Sequence, residues 1–243
     1  MKKIALMMAA AILFTLSCGK PDNNGENGKD PNNGDDNVTE VNIAIDGEFA
    51  DWVALPSSAY VKAENDPDSP WEAVDEIRVC ADPDYVYYYI RFNADYMPEE
   101  GDERPIRLCL NTDGEFESGY ENYFQECYDF IIEGALANES GEWIEYAGTM
   151  HQRVNGSWEK LLEPTAGVAT GWGKGTEYEI SVDRGIFSSG VMKSSSPNSS
   201  IGEVFQTGIR FYTAGWAELS NMPNDSEYAN GWGPLLEVRT IGL

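Results

Sequence analysis

The 243-residue chain has a single histidine, His151, and only 16 lysines and arginines against 42 aspartates and glutamates. One imidazole cannot supply the multi-histidine sets of zinc enzymes, and no Ser-His-Asp or metal-histidine set can be built around it. Haem ligation would need His151 with Met150, Met192 or Met222, and no spacing supports such a pair. A formal charge of -26 sets the chain against nucleic acid and anionic lipid. The cysteines, Cys18, Cys80, Cys109 and Cys127, match no zinc spacing. Helical periodicity is scarce, and the apolar run "IALMMAAAILF" at residues 4–14 is too short to span a bilayer. What is abundant is glycine, tyrosine and tryptophan, a composition that favours an all-β domain with many turns.

The start of the chain is organised for export. Lys2 and Lys3 precede the apolar run, which ends in "TLSC". A charged segment, a short apolar stretch and a small residue before Cys18 read as a lipoprotein signal over 1–17, with Cys18 as the lipidated residue. The pattern departs from the common one, because Thr15 stands where leucine is usual and Leu16 comes one place late. Residues 18–39, "CGKPDNNGENGKDPNNGDDNVT", are almost devoid of large apolar side chains and form an acidic Asn/Gly-rich tether that cannot offset its ordering entropy. Such a tether after a lipidated cysteine resembles the start of surface lipoproteins of the Bacteroidota, which implies a lipid anchor in the outer membrane and exposure at the cell surface.

Residues 40–243 read as one domain. "EIRVCAD" alternates, "DPD" turns, and "YVYYYIRFN" alternates again, with Val86, Tyr88, Ile90 and Phe92 on one face and Tyr85, Tyr87, Tyr89 and Arg91 on the other. "RPIRLCLN", "YFQECYDFIIEGALA", "GEWIEYAGTMHQRV", "SWEKLLE", "GTEYEISVDRGIF", "VFQTGIRFYTAGW" and "PLLEVRTIGL" continue as strands. The stretches around "SSGVMKSSSPNSSIG" and "ELSNMPNDSEYANGWG" read as loops. "VNIAI" reads as a first strand, after which Asp46-Gly47 reverses the chain, since glycine accepts positive φ. The fold class is an antiparallel β-sandwich of immunoglobulin or jelly-roll-like architecture.

In order along the chain, "IAIDGEFADW", "DEIRVCADPDYVYYYIRFN", "IRLCLNTDGEFESGY", "GTEYEISVDRGIF" and "IGEVFQTGIRFYTA" resemble the conserved blocks of carbohydrate-binding module family 9-like domains, within the wider DOMON-like β-sandwiches. The resemblance departs at the late "E-x-x-I" strand, where the usual proline after the isoleucine is missing. It implies a sandwich that binds a polysaccharide or oligosaccharide without catalysis, and in members with a similar acidic loop it implies calcium.

Four tryptophans are candidates for stacking on sugar rings: Trp71 in "DPDSPWEA", Trp172 in "GWGKG", Trp216 in "TAGWAELS" and Trp232 in "NGWGP". The bland alternative for each is a loop tryptophan folded back over the core. Trp52 reads as core rather than platform, Tyr85, Tyr87 and Tyr89 read as packing on a covered face, and His151 reads as structural. In "NTDGEFESGY", Asn111, Asp113, Glu115 and Glu117 present oxygens at alternate positions, as a calcium site requires, although the spacing is not that of an EF-hand. A solvated hairpin loop is the alternative. Cys109 and Cys127 are a candidate disulfide pair, set against three buried thiols. These readings lead to a tethered, glycan-binding surface lipoprotein acting beside glycan-processing proteins. A protein-binding adhesin is the main alternative, and a glycoside hydrolase-related domain the weaker one, since carboxylates are too numerous for any pair to stand out.

Overall fold

A computed structural model describes residues 38–97, 103–112, 128–137, 142–154, 157–160, 168–188 and 201–243, with backbone alone over 136–137, 145–154 and 157–160 and at 188. Residues 36–243 form one compact unit. Cys18, the signal and nearly all of the tether lie outside the described residues.

The described strands are β1 (Val61–Glu64), β2 (Val74–Ala81), β3 (Tyr85–Phe92), β4 (Glu103–Asn111), β5 (Phe130–Ala137), β6 (Trp143–Val154), β7 (Ser157–Lys160), β8 (Ala169–Lys174), β9 (Glu177–Asp183), β10 (Val204–Tyr212), β11 (Glu218–Met222) and β12 (Leu236–Arg239). They form two antiparallel sheets. The first has the order β1-β2-β3-β9-β8; the second has the order β11-β10-β4-β5-β6-β7, with β12 also paired to β10. The fold is therefore an all-β sandwich. Among the described residues no helix is long and apolar enough to cross a membrane.

Period-two alternation decides what lies between the sheets. From β3, Val86, Tyr88, Ile90 and Phe92 enter the core, where they join Ile106, Leu108 and Leu110 of β4 and Phe205, Ile209 and Phe211 of β10. Phe92 and Phe211 meet across the layer with ring centroids 4.5 Å apart. Burying side chains of this size stabilises the fold by about 1.5–3 kcal/mol each. Tyr88, a phenol at the centre, meets the hydroxyl of Thr207 at 2.8 Å, so its polar end is satisfied.

Three local expectations change. "VNIAI" forms no strand, because residues 38–48 lack a partner strand. Its alternation serves another purpose: Val41 is buried with Trp52, Cys80, Tyr87 and Tyr89, and Ile43, Ile45 and Phe49 pack against that cluster. The segment lies as a cover over the outer face of the first sheet and continues into the short helix α1 (Ala50–Ala54). The first four residues of "GWGKG" are not a loop but part of β8, and "ELSNM" is not a loop but forms β11. The glycines of β8 fit a crowded strand: a Cβ on Gly173 would come within 1.9 Å of the Tyr178 ring.

The Asp46-Gly47 turn is a clasp rather than a hairpin. The backbone N–H groups of Asp46 and Gly47 each donate to Glu179 Oε1 at 2.7 Å, and the Trp52 indole donates to Glu179 Oε2 at 3.2 Å. Glu179 is fully buried in β9. Burial pushes its carboxyl pKa up, against the three donors that favour its charged form, and Asp51 nearby adds to the rise. Gly47 has φ +78°, and a Cβ there would lie 2.1 Å from Trp172 Cδ1, so the position requires glycine for both conformation and space. Trp52 is buried as expected, as part of this cover, packed on Tyr89.

Candidate functional site

The outer face of the second sheet is different. Two of its strands carry an arginine between inward-facing apolar residues, "I-R-L" in β4 and "I-R-F" in β10. Register places Arg107 and Arg210 directly opposite one another. Each is held by a carboxylate on a neighbouring strand: Arg107 Nε donates to Glu133 Oε1 at 2.6 Å, and Arg210 Nε donates to Glu218 Oε1 at 2.8 Å. Tyr212 is flanked by both guanidinium groups, at 5.1 Å from Arg107 and 5.2 Å from Arg210, and its hydroxyl accepts from Arg107 Nη1 at 3.3 Å.

Three of the four candidate tryptophans extend this row. Arg107 lies 5.0 Å from the Trp216 ring, and Arg210 lies 5.0 Å from the Trp232 ring. Trp216 also packs on Tyr212, with centroids 5.4 Å apart, and Trp71 packs on Trp232 at 6.2 Å. The result is a run of Trp216, Arg107, Tyr212, Arg210, Trp232 and Trp71. Trp232 is nearly buried, Trp71 half-buried, and Trp216 is 43 % exposed. Trp172 does not join them; it packs against Gly47 on the other sheet, where it serves the clasp.

The turn that presents Trp216 is unusual. Trp216 N donates to Thr213 O at 2.8 Å and Thr213 N to Ala217 O at 2.8 Å, which closes a tight loop after β10. Within it Trp216 adopts φ +64°, the left-handed region that favours glycine. Strain of this kind costs on the order of 1–3 kcal/mol and collects at binding and catalytic sites.

The other end of the row is fixed by two asparagines. Asn224 accepts from Asp66 N at 2.8 Å and donates to Asn65 Oδ1 at 2.7 Å and to Trp71 O at 3.0 Å, which ties the Trp71 loop to the Trp232 loop. In the amide orientation that satisfies its neighbours, buried Asn221 accepts from both indole N–H groups, Trp71's at 3.1 Å, and donates to Pro223 O at 3.2 Å. Trp71 Nε1 also donates to Asn230 O at 2.8 Å.

The electrostatics keep the row's charges in place. Burial opposes the charge on Arg210, but the hydrogen bond to Glu218 and the nearby Tyr212 outweigh it, and its pKa rises. Arg107 behaves alike: burial opposes its charge, and Tyr212 and Glu133 more than offset that. Burial raises the Tyr212 phenol, which stays neutral and able to accept from Arg107. Cys109, on the same face, is a free and fully buried thiol pushed up to about 12 by burial.

Of the four candidate calcium ligands, only Asn111 is among the described residues. It is fully buried at the end of β4, and its amide N–H donates to Gln206 Oε1 at 2.9 Å. Asp113, Glu115 and Glu117 lie outside the described residues, as does Cys127. Among the described residues no group of three or more His, Cys, Asp or Glu side chains is placed to hold a metal. His151 lies in β6, where its backbone pairs with Ile131 and Lys160.

Arg107, Arg210, Tyr212, Asn221 and Asn224 were not anticipated from sequence. The arginines had a signal: each is the one charged residue between inward apolar neighbours, so alternation sends both to the outer face. No protein-family model matches the chain, and no curated protein matches it.

Proposed function

We propose that this protein is a non-catalytic, glycan-binding lipoprotein. Cys18 would anchor it in the outer membrane, and the tether would carry the sandwich out from the surface to capture polysaccharide for neighbouring glycan-processing proteins. The observation that carries the reading is Trp216, an exposed indole held in a strained conformation and backed by Tyr212 and Arg107. Sugar rings present C–H faces to such indoles, and the flanking guanidinium and carboxylate groups suit hydroxyls. The resemblance to family 9-like carbohydrate-binding modules supports the same reading.

A glycan array with wild type and Trp216→Ala tests it. Saturable binding to a defined glycan, weakened about tenfold or more by Trp216→Ala, supports glycan capture. Trp, Tyr and Arg are also the residues that dominate protein interfaces, which keeps a protein-binding subunit as the second reading. An array with no bound glycan would favour that one. Calcium at the loop that starts at Asn111 is part of the proposal, with Asn111, Asp113, Glu115 and Glu117 as the ligands. A bound ion stabilises the native state by about 2.7 kcal/mol at a hundredfold excess over Kd, so chelation should lower the melting temperature and Asp113→Ala should abolish the difference.

A further inference from the structure

We propose that the sugar held on this face carries an oxyanion, a carboxylate or a sulfate, and that Arg107 receives it; this inference rests on the glycan-binding reading above. Three observations converge on Arg107. The first is cost. Arg107 and Arg210 face one another across β4 and β10, and like charges in that position destabilise a sheet. A chain with 16 basic residues against 42 acidic ones spends two of them this way on one outer face. Glu133 and Glu218 each accept from the Nε of their arginine.

The second is access. The Arg210 side chain is 5 % exposed and serves Glu218, Tyr212 and Trp232 from within. The Arg107 side chain is 29 % exposed and lies beside the exposed ring of Trp216. A sugar stacked on Trp216 brings its substituents to that guanidinium.

The third is donor capacity. Arg107 spends Nε on Glu133 and Nη1 on Tyr212, and among the described residues nothing accepts from Nη2. A guanidinium edge offered beside a stacking ring suits an oxyanion, which takes charge-assisted hydrogen bonds roughly twice as strong as neutral ones. The net charge of the chain opposes an anion at long range, but the field is screened over about 8 Å at physiological salt, so the recognition is one of contact.

The experiment measures affinity of the full-length protein for oligogalacturonate, for its methyl ester, for a sulfated galactan oligomer and for neutral galactan. The expected result is tightest binding to the free carboxylate or to the sulfated oligomer, with a loss of about tenfold on esterification or in Arg107→Gln. Whichever acidic oligomer prevails identifies the source of the oxyanion. Esterification alters only the ligand, so the comparison holds even if Arg107→Gln fails to fold. Equal binding of ester and free acid, with neutral galactan bound as well, overturns the inference and leaves glycan capture standing. Binding to none of these oligomers and to no other glycan overturns both.

Discussion

On the outer face of the first sheet, Arg78 lies 5.3 Å from the Tyr60 ring and 5.0 Å from that of Tyr89. On the outer face of the second, Arg107 and Arg210 lie 5.1 and 5.2 Å from Tyr212. Both faces thus pack guanidinium groups against aromatic rings, and both tie them to carboxylates, Arg78 to Glu76 at 2.6 Å and Arg107 to Glu133 at 2.6 Å. The difference lies in what covers them. Residues 38–55 close over Tyr87 and Tyr89, which are 7 % and 5 % exposed; on the second face Tyr212 is as deeply buried, at 4 %, but Trp216, packed on it, remains 43 % exposed. Aromatic composition alone does not make a binding face; what the second face offers is an exposed indole at its edge.

If the first face is a built cover, breaking its clasp should cost the most. Gly47→Ala forces a side chain into φ +78° and against Trp172, and should destabilise the fold by about 3 kcal/mol in chemical denaturation. Binding on the opposite face should survive in whatever fraction remains folded. A variant as stable as wild type would mean that the cover is incidental.

A smaller effect concerns the charge beneath that cover. Burial raises Glu179 above the ordinary 4.5 of a glutamate. The folded state then holds the proton more tightly than the unfolded one. The stability contributed by Glu179 is fully present below pH 4.5 and is lost as pH rises through its folded value. Glu179→Gln has no such loss. Its stability relative to wild type should improve as pH is raised from 4.5 toward neutrality, and a difference that stays flat with pH would show that the carboxyl is not perturbed.

The smallest expected signal is at the thiols. Cys80 beneath the cover and Cys109 on the other face are both buried, and burial raises both, the second to about 12. Neither should react with an alkylating reagent at about pH 8 until the protein is unfolded. Rapid native labelling of Cys80 would show that the cover opens.

These contrasts mark how far the sequence was readable. The β2–β3 hairpin and its two faces followed from alternation, because Val86, Tyr88, Ile90 and Phe92 obey the period that burial imposes on one side of a strand. "VNIAI" carried the same period and formed no strand, since apolar alternation records which side chains are covered and not whether the backbone finds a partner. β8 was hidden by glycines that serve close packing against Tyr178 rather than turning. Of the site, the tryptophans were legible as loop aromatics. That Trp71, Trp216 and Trp232 fall along one row while Trp172 does not depends on the pairing of β10 with β4 and on the Asn224 tie, neither of which leaves a local pattern.

The most direct test of the account is Trp216→Gly, with glycan affinity and melting temperature measured on the same preparation. Glycine accepts φ +64° without strain, so the substitution relieves the turn while removing the ring. Glycan binding should be lost while the melting temperature holds or rises, by the equivalent of about 1 kcal/mol. Undiminished glycan binding by a stably folded Trp216→Gly would contradict the account.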